Sequence, residues 1–223
     1  TVVSCYVVGM LIARCRGHEA EVNSVAISAD GQRLASGSDT NTLGIWDASN
    51  NLISWCKGHE DQVISVAISA DGQRVASGSY DNTLGIWGPD NTLITRSKGH
   101  KDKVNAVAIS TDGLRIASGS WDNMVGIWDS IVHLISWCKG HRGKVNSVAI
   151  SADGQCIISG SNDRRVGIWD ANGNLIAWSE EHDSEVSSVA ISADGQRIAS
   201  GSWNNTVGIW DAEGALIAWC KGH

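Results

Sequence analysis

The sequence predicts an all-β fold of repeated four-stranded sheets, and three observations carry that prediction. First, the tripeptide GIW stands at 44–46, 85–87, 126–128, 167–169 and 208–210, always 41 residues apart. Second, VAIS begins at Val25, Val66, Val107, Val148 and Val189, and SGS at Ser36, Ser77, Ser118, Ser159 and Ser200, in the same register. Third, short apolar runs alternate with turn residues at the spacing of about 8–12 residues that marks all-β chains. A fixed period of this length is the signature of a repeat architecture. It also accounts for a biased composition of 11 Trp and 25 Gly with no Phe, because few choices are copied many times.

Within the first unit the elements follow in order. Residues 22–28 alternate apolar and small side chains, as a strand does. Ala29, Asp30 and Gly31 make a tight turn, with Gly free to take positive φ. Residues 32–38 form a second strand, 39–41 a polar turn, 42–46 a third strand, 47–51 another turn and 52–56 a fourth strand. A sheet this small cannot bury both its faces alone. Stacked units would cover one another, with the Val25, Ile27, Leu34 and Ile45 types supplying the core and Ala26 and Ala35 allowing close approach.

Histidines stand at His18, His59, His100, His141, His182 and His223, each after Gly except His182, and each 41 residues from the next. A unit of about 40 residues with a Gly-His pair, four strands and a Trp-Asp pair resembles the WD40 family. The resemblance covers residues 19–223. It implies a β-propeller of five complete four-stranded blades, 19–59, 60–100, 101–141, 142–182 and 183–223. Residues 1–18 align with the third and fourth strands of a decayed blade, 1–5 over 42–46 and 11–15 over 52–56.

The resemblance also implies a buried structural network in each blade, running from His through Ser and Asp to Trp. Blade 2 offers His59, Ser77, Asp81 and Trp87; blade 3, His100, Ser118, Asp122 and Trp128; blade 4, His141, Ser159, Asp163 and Trp169. Blade 1 departs, with Thr40 at the Asp position, and blade 5 has Asn204 there. Blades 1 and 5 are therefore expected to be the softest. Ser, His and Asp are also the residue types of hydrolase triads, but a set repeated in every blade and ending on Trp reads as structural. His133 alone is out of register, in the irregular turn 130–133.

Composition excludes several classes. A net charge of -7 argues against general nucleic-acid binding. No apolar run approaches the ~18 residues of a membrane span, and the apolar start lacks the features of a signal peptide. Cys15, Cys56, Cys138 and Cys220 share one register on fourth strands of different blades, too far apart for disulfides. With Cys5 and Cys156 they form no CxxC, so no metal or other cofactor is expected. Reduced thiols fit a cytoplasmic setting. Trp55, Trp137, Trp178 and Trp219 are expected to cover the outer blade edge, with Arg96 breaking their series.

The copies differ most at three positions where family members commonly contact partners. One, just before the turn Asp, reads Asp39, Tyr80, Trp121, Asn162 and Trp203. The second, at the start of the first strand, reads Asn23, Ile64, Asn105, Asn146 and Ser187; the third, two residues earlier, reads Glu21, Gln62, Lys103, Lys144 and Glu185. Exposed aromatics in loops are typical interface anchors, so Trp121, Trp203 and Tyr80 lead this set. Charge is segregated as well, with basic residues on blades 3 and 4 and acidic ones on blades 1 and 5.

These readings point to a non-enzymatic interaction scaffold or sensor module that takes a protein or peptide on its loop face. A carbohydrate-binding propeller and a recently amplified or engineered array remain open alternatives. Ring closure is open too: the chain could be part of a longer propeller, a five-bladed ring, or one segment of a ring built from several chains. Exposed blade faces at its ends predict self-association.

Overall fold

A computed structural model describes residues 2–7, 10–131 and 133–221, with side chains from residue 15 onward. Thr1, Val132 and the expected sixth register histidine, His223, lie outside the described residues. The described chain is all strands and turns. Strands β1 (Val2–Val7) and β2 (Met10–Arg16) form an antiparallel pair. Strands β3 (Val22–Ile27), β4 (Arg33–Ser38), β5 (Thr42–Asp47) and β6 (Leu52–Lys57) follow as a sequential antiparallel sheet, and four further sheets repeat that order. No helix among the described residues is long and apolar enough to cross a membrane.

Each A-D-G turn between the first two strands is locked in the same way. Asp30 Oδ1 accepts from Ser28 Oγ at 2.6 Å and from the Gln32 N–H at 2.9 Å, while Gly31 takes φ 71°. That left-handed conformation is one only Gly adopts without cost.

Stacking supplies the core. The first strand of each later blade, such as Val63–Ile68, packs on the first and second strands of the blade before it. Ala35, Leu43, Ile45 and Cys56 of blade 1 thus close on Val63, Val66, Val75 and Trp87 of blade 2. The same residue types meet at the three later interfaces. Burying one such side chain contributes roughly 1.5–3 kcal/mol. The middle Gly of SGS makes room for this approach, as Val63 Cγ1 lies where a Cβ on Gly37 would be. Polar links run across as well: Ser24 Oγ accepts from the Val66 N–H at 3.1 Å, and Arg33 donates to Gly72 O at 2.8 Å and Asn91 Oδ1 at 2.7 Å.

Ile68, Ile109, Ile150 and Ile191 pack against the inter-blade clusters as expected, and together with Ile27, itself 58% exposed, they also line a shared apolar concavity. One sequence expectation needs correction. In the N-terminal pair, Val3 rather than Val2 pairs with Cys15, and Tyr6 rather than Cys5 faces Leu11. The pairing of Leu43 with Cys56 and Trp46 with Leu52 in blade 1 shows the shift. The connection there is one residue shorter, so aligning by residue number slips β1 by one position.

Equivalent residues differ in exposure at the outward faces of the first and fifth blades. Val25 is 52% exposed, whereas Val66, Val107, Val148 and Val189 are 6–8% exposed. At the other end nothing but Ser187 Oγ, 3.9 Å away, comes near a Cβ position on Gly201.

Candidate functional site: the loop face and the network beneath it

Beneath the loop face, each of blades 2 to 4 holds the four-residue chain. In blade 2, His59 Nδ1 lies 2.9 Å from Asp81 Oδ2 and Nε2 lies 2.7 Å from Ser77 Oγ, which also accepts from Trp87 Nε1 at 2.8 Å. Blade 3 joins His100, Asp122, Ser118 and Trp128 with matching distances, and blade 4 joins His141, Asp163, Ser159 and Trp169. The first Ser of SGS takes part. The second Ser has a separate role, since Ser79 Oγ donates to Asp61 O and accepts from the Asp81 N–H.

The Asp also ties down the backbone, because Asp81 Oδ2 accepts from the Glu60 N–H at 2.9 Å. Burial works against ionisation of Asp81, but hydrogen bonds from His59, Thr83 and Glu60 outweigh it and hold the carboxyl well below the usual range. Asp122 and Asp163 are lowered by the same balance of burial against bonds from His100 and His141.

Blades 1 and 5 depart. His18 Nε2 meets Ser36 Oγ at 2.8 Å, but its Nδ1 is buried with no hydrogen-bond partner. Thr40 turns to Thr42, with their hydroxyls 2.8 Å apart. In blade 5, His182 Nδ1 reaches Thr206 Oγ1 at 3.3 Å, and Asn204 Oδ1 accepts from that same hydroxyl. Burial holds both His18 and His182 below the ordinary imidazole value.

The outer-strand tryptophans pack against the histidines. Trp55, Trp137, Trp178 and Trp219 stand edge-on to His18, His100, His141 and His182 with centroids 4.7–4.8 Å apart. They seal the imidazole from the outer side. Arg96 fills that place in blade 2, pairing with Glu60 at 2.7 Å and lying 3.5 Å from Asp81. The sequence showed the register of these tryptophans, but not that the fourth strand folds back over the histidine.

This geometry is unlike a hydrolytic triad. Ser77, Ser118 and Ser159 are fully buried and already accept an indole N–H, so no substrate reaches them. His133 is exposed and lies 3.3 Å from Asp129. Among the described residues no cluster of three His, Cys, Asp or Glu could hold a metal ion, and Cys56, Cys138, Cys156 and Cys220 take part in no disulfide. Burial pushes Cys56 up to about 11 and Cys138 up to about 12, so both are protonated and inert at neutral pH.

Above the network, the variable positions are physically joined. The N–H of each variable turn residue donates to the carbonyl of the residue preceding the first strand: Tyr80 to Gln62, Trp121 to Lys103, Asn162 to Lys144, and Trp203 to Glu185. Positions 18 apart in the sequence thus sit side by side. Lys103 Nζ lies 3.9 Å from the Tyr80 ring centroid and 4.8 Å from that of Trp121, while Lys144 Nζ lies 3.6 Å over Trp121. The Tyr80 and Trp121 rings are themselves 5.5 Å apart.

Trp121, Trp203, Asn105, Asn162, Lys144 and Glu185 line one depression of about 360 Å³ across blades 3 to 5. Tyr80 and Lys103 flank it through Trp121. Asp39 and Ile64 do not line it; Asp39 Oδ1 accepts from Asn23 at 2.7 Å. Some of the asparagines serve the frame: Asn105 Nδ2 donates to Asn146 O at 3.0 Å, and Asn146 Nδ2 to Val186 O at 2.8 Å.

Comparison with known proteins agrees with this architecture. The family model described as WD domain, G-beta repeat matches residues 9–47, 50–88, 91–129, 133–170 and 173–211. Over 34 residues the chain is 62% identical to vegetative incompatibility protein HET-E-1 of Podospora anserina, a stretch that covers 15% of this chain and 2% of that protein.

Proposed function

Because the chain belongs to the WD40 family, matching its repeat five times, we propose that it is a non-enzymatic interaction module, a scaffold or sensor, that takes a protein or peptide on its loop face. One observation carries this: a nearly invariant frame presents its most variable residues together, with Trp121 and Trp203 both lining one depression. Trp203 is 71% exposed, an unusual cost for a Trp with no role at an interface. The short match to a vegetative incompatibility protein is consistent with an interaction module. Free thiols, raised by burial at Cys56 and Cys138, support a cytoplasmic setting.

The test is capture of a partner by the wild-type chain and by Trp121→Ala and Trp203→Ala. Both substitutions lie outside the blade cores, so the circular dichroism spectrum stays unchanged while capture is lost. Unchanged capture by both variants defeats the reading.

Self-association is a second reading, favoured by the exposure of Val25 and the space beside Gly201. Light scattering at micromolar concentration should give a mass above one chain; a single-chain mass overturns it.

A further inference from the structure

We propose that the depression between Trp121 and Trp203 binds an acidic peptide, with a Glu or Asp side chain seated between Lys103 and Lys144 and a neighbouring apolar side chain on Trp203. The proposal rests on the loop-face reading and names the chemistry of its partner. Its ground is that, among the described cations, Lys103 and Lys144 alone stand over aromatic rings. Lys98, Lys101, Lys139 and Arg142 also form no ion pair with a described residue, but no ring lies beneath them. Arg96 is paired with Glu60, and Arg164 and Arg165 are both paired with Glu181. Lys103 and Lys144 form no ion pair with any described residue; their ammonium groups rest on aromatic rings instead.

Two cations held within 5 Å of one indole repel each other with no anion between them. A carboxylate placed there accepts hydrogen bonds from both, and charge-assisted bonds of this kind are stronger than cation–π contacts at an exposed site. The backbone prepares the arrangement, since Trp121 is tied to Lys103 through its N–H at 3.0 Å. Asn146 is likewise fixed by bonds to Asn162 and to Val186 O.

The depression is also polarised. Lys144 lies on its blade 4 side and Glu185 on its blade 5 side, next to the exposed Trp203. An acidic residue is attracted to the first and repelled from the second, so the peptide is oriented, acid over Trp121 and apolar residue on Trp203. With Glu185 in the lining of the depression and a net charge of -7 on the chain, this face makes a poor track for a polyanion, which favours a peptide over nucleic acid.

The test uses fluorescence anisotropy at low salt with a fluorescein-labelled peptide carrying two Glu flanked by Leu, and its Gln counterpart. The acidic peptide should bind roughly tenfold more tightly than the amide form. In the double variant Lys103→Gln, Lys144→Gln that preference should vanish, while Trp203→Ala should weaken both peptides alike. Equal binding of the two peptides, no binding of either, or a preference that survives the double variant overturns the proposal. So does an oligothymidine of equal charge that competes as well as the acidic peptide. If Trp121→Ala abolishes binding of both peptides and the lysine variant changes nothing, the acidic assignment fails while the loop-face reading stands. If neither variant has an effect, both fail.

Discussion

His18 and Ser36 are joined at 2.8 Å through Nε2, and the other ring nitrogen of His18 is buried without a partner. In blade 2 the corresponding nitrogen of His59 meets Asp81 at 2.9 Å. A buried polar group left unpaired costs about 1–3 kcal/mol. Thr40→Asp places a carboxylate where blades 2 to 4 have theirs, and should raise stability by about 1 kcal/mol. Asp122→Ala, which creates the same defect in blade 3, should lower it by about 1–3 kcal/mol. Urea unfolding measures both, and no change in either variant would show that the network is not stabilising.

Stability should fall with acid in two steps. His18 and His182 have folded pKa values held down by burial, so between that value and the unfolded one the unfolded chain binds more protons. Stability is then fully present above the unfolded value of about 6.5 and declines as pH drops below it. Asp122 and Asp163, whose hydrogen bonds outweigh burial, add a second loss that starts near the unfolded value of about 3.9 and continues downward. In Thr40→Asp the new carboxylate favours protonated His18, so the upper step should shrink. A urea midpoint that is flat from pH 7 to about pH 5 contradicts the first step.

The glycines of SGS offer a comparison within one chain. A Cβ on Gly119 would lie 2.6 Å from Val145 Cγ1, whereas one on Gly201 would have only Ser187 Oγ near it, at 3.9 Å. Gly119→Ala should therefore cost about 1–3 kcal/mol through overpacking. Gly201→Ala should be neutral or stabilise by about 0.5 kcal/mol, through a less flexible unfolded chain. Equal losses at both sites would mean that the fifth blade's outer face is covered in solution.

Arg164 takes φ 74°, at a turn where Asn41, Asn82, Asn123 and Asn205 take φ 62–70°. Asn tolerates this left-handed region far better than a long side chain, for which it costs roughly 1–2 kcal/mol. Arg164→Asn should raise the melting temperature by an amount equivalent to about 1 kcal/mol, even though it loses an exposed ion pair to Glu181. A lower melting temperature would give that pair more weight than the backbone strain.

Much of this was legible in residue order. The period of 41 and the positions of His59, Ser77, Asp81 and Trp87 indicated a frame copied blade by blade. The departure at Thr40 was visible too, because a missing Asp stands out against three copies that have it. The one-residue slip in the N-terminal pair was not, since a shortened connection leaves no trace in numbering.

By itself, the sequence determined the repeat, the strands of each unit and the set of residues free to vary. Local alternation and turn chemistry are enough for that, being written within a few residues. Only the tertiary structure decided which variable residues meet. Trp121, Lys144 and Trp203 belong to three consecutive blades, and they share a depression because stacking turns each blade relative to the last. Asp39 and Ile64, equivalent in register, are left outside it. Packing likewise set Trp55 edge-on to His18 and left Val25 uncovered while its four counterparts were buried. Equal sequence gave unequal exposure there, because burial belongs to the neighbouring blade and not to the strand itself.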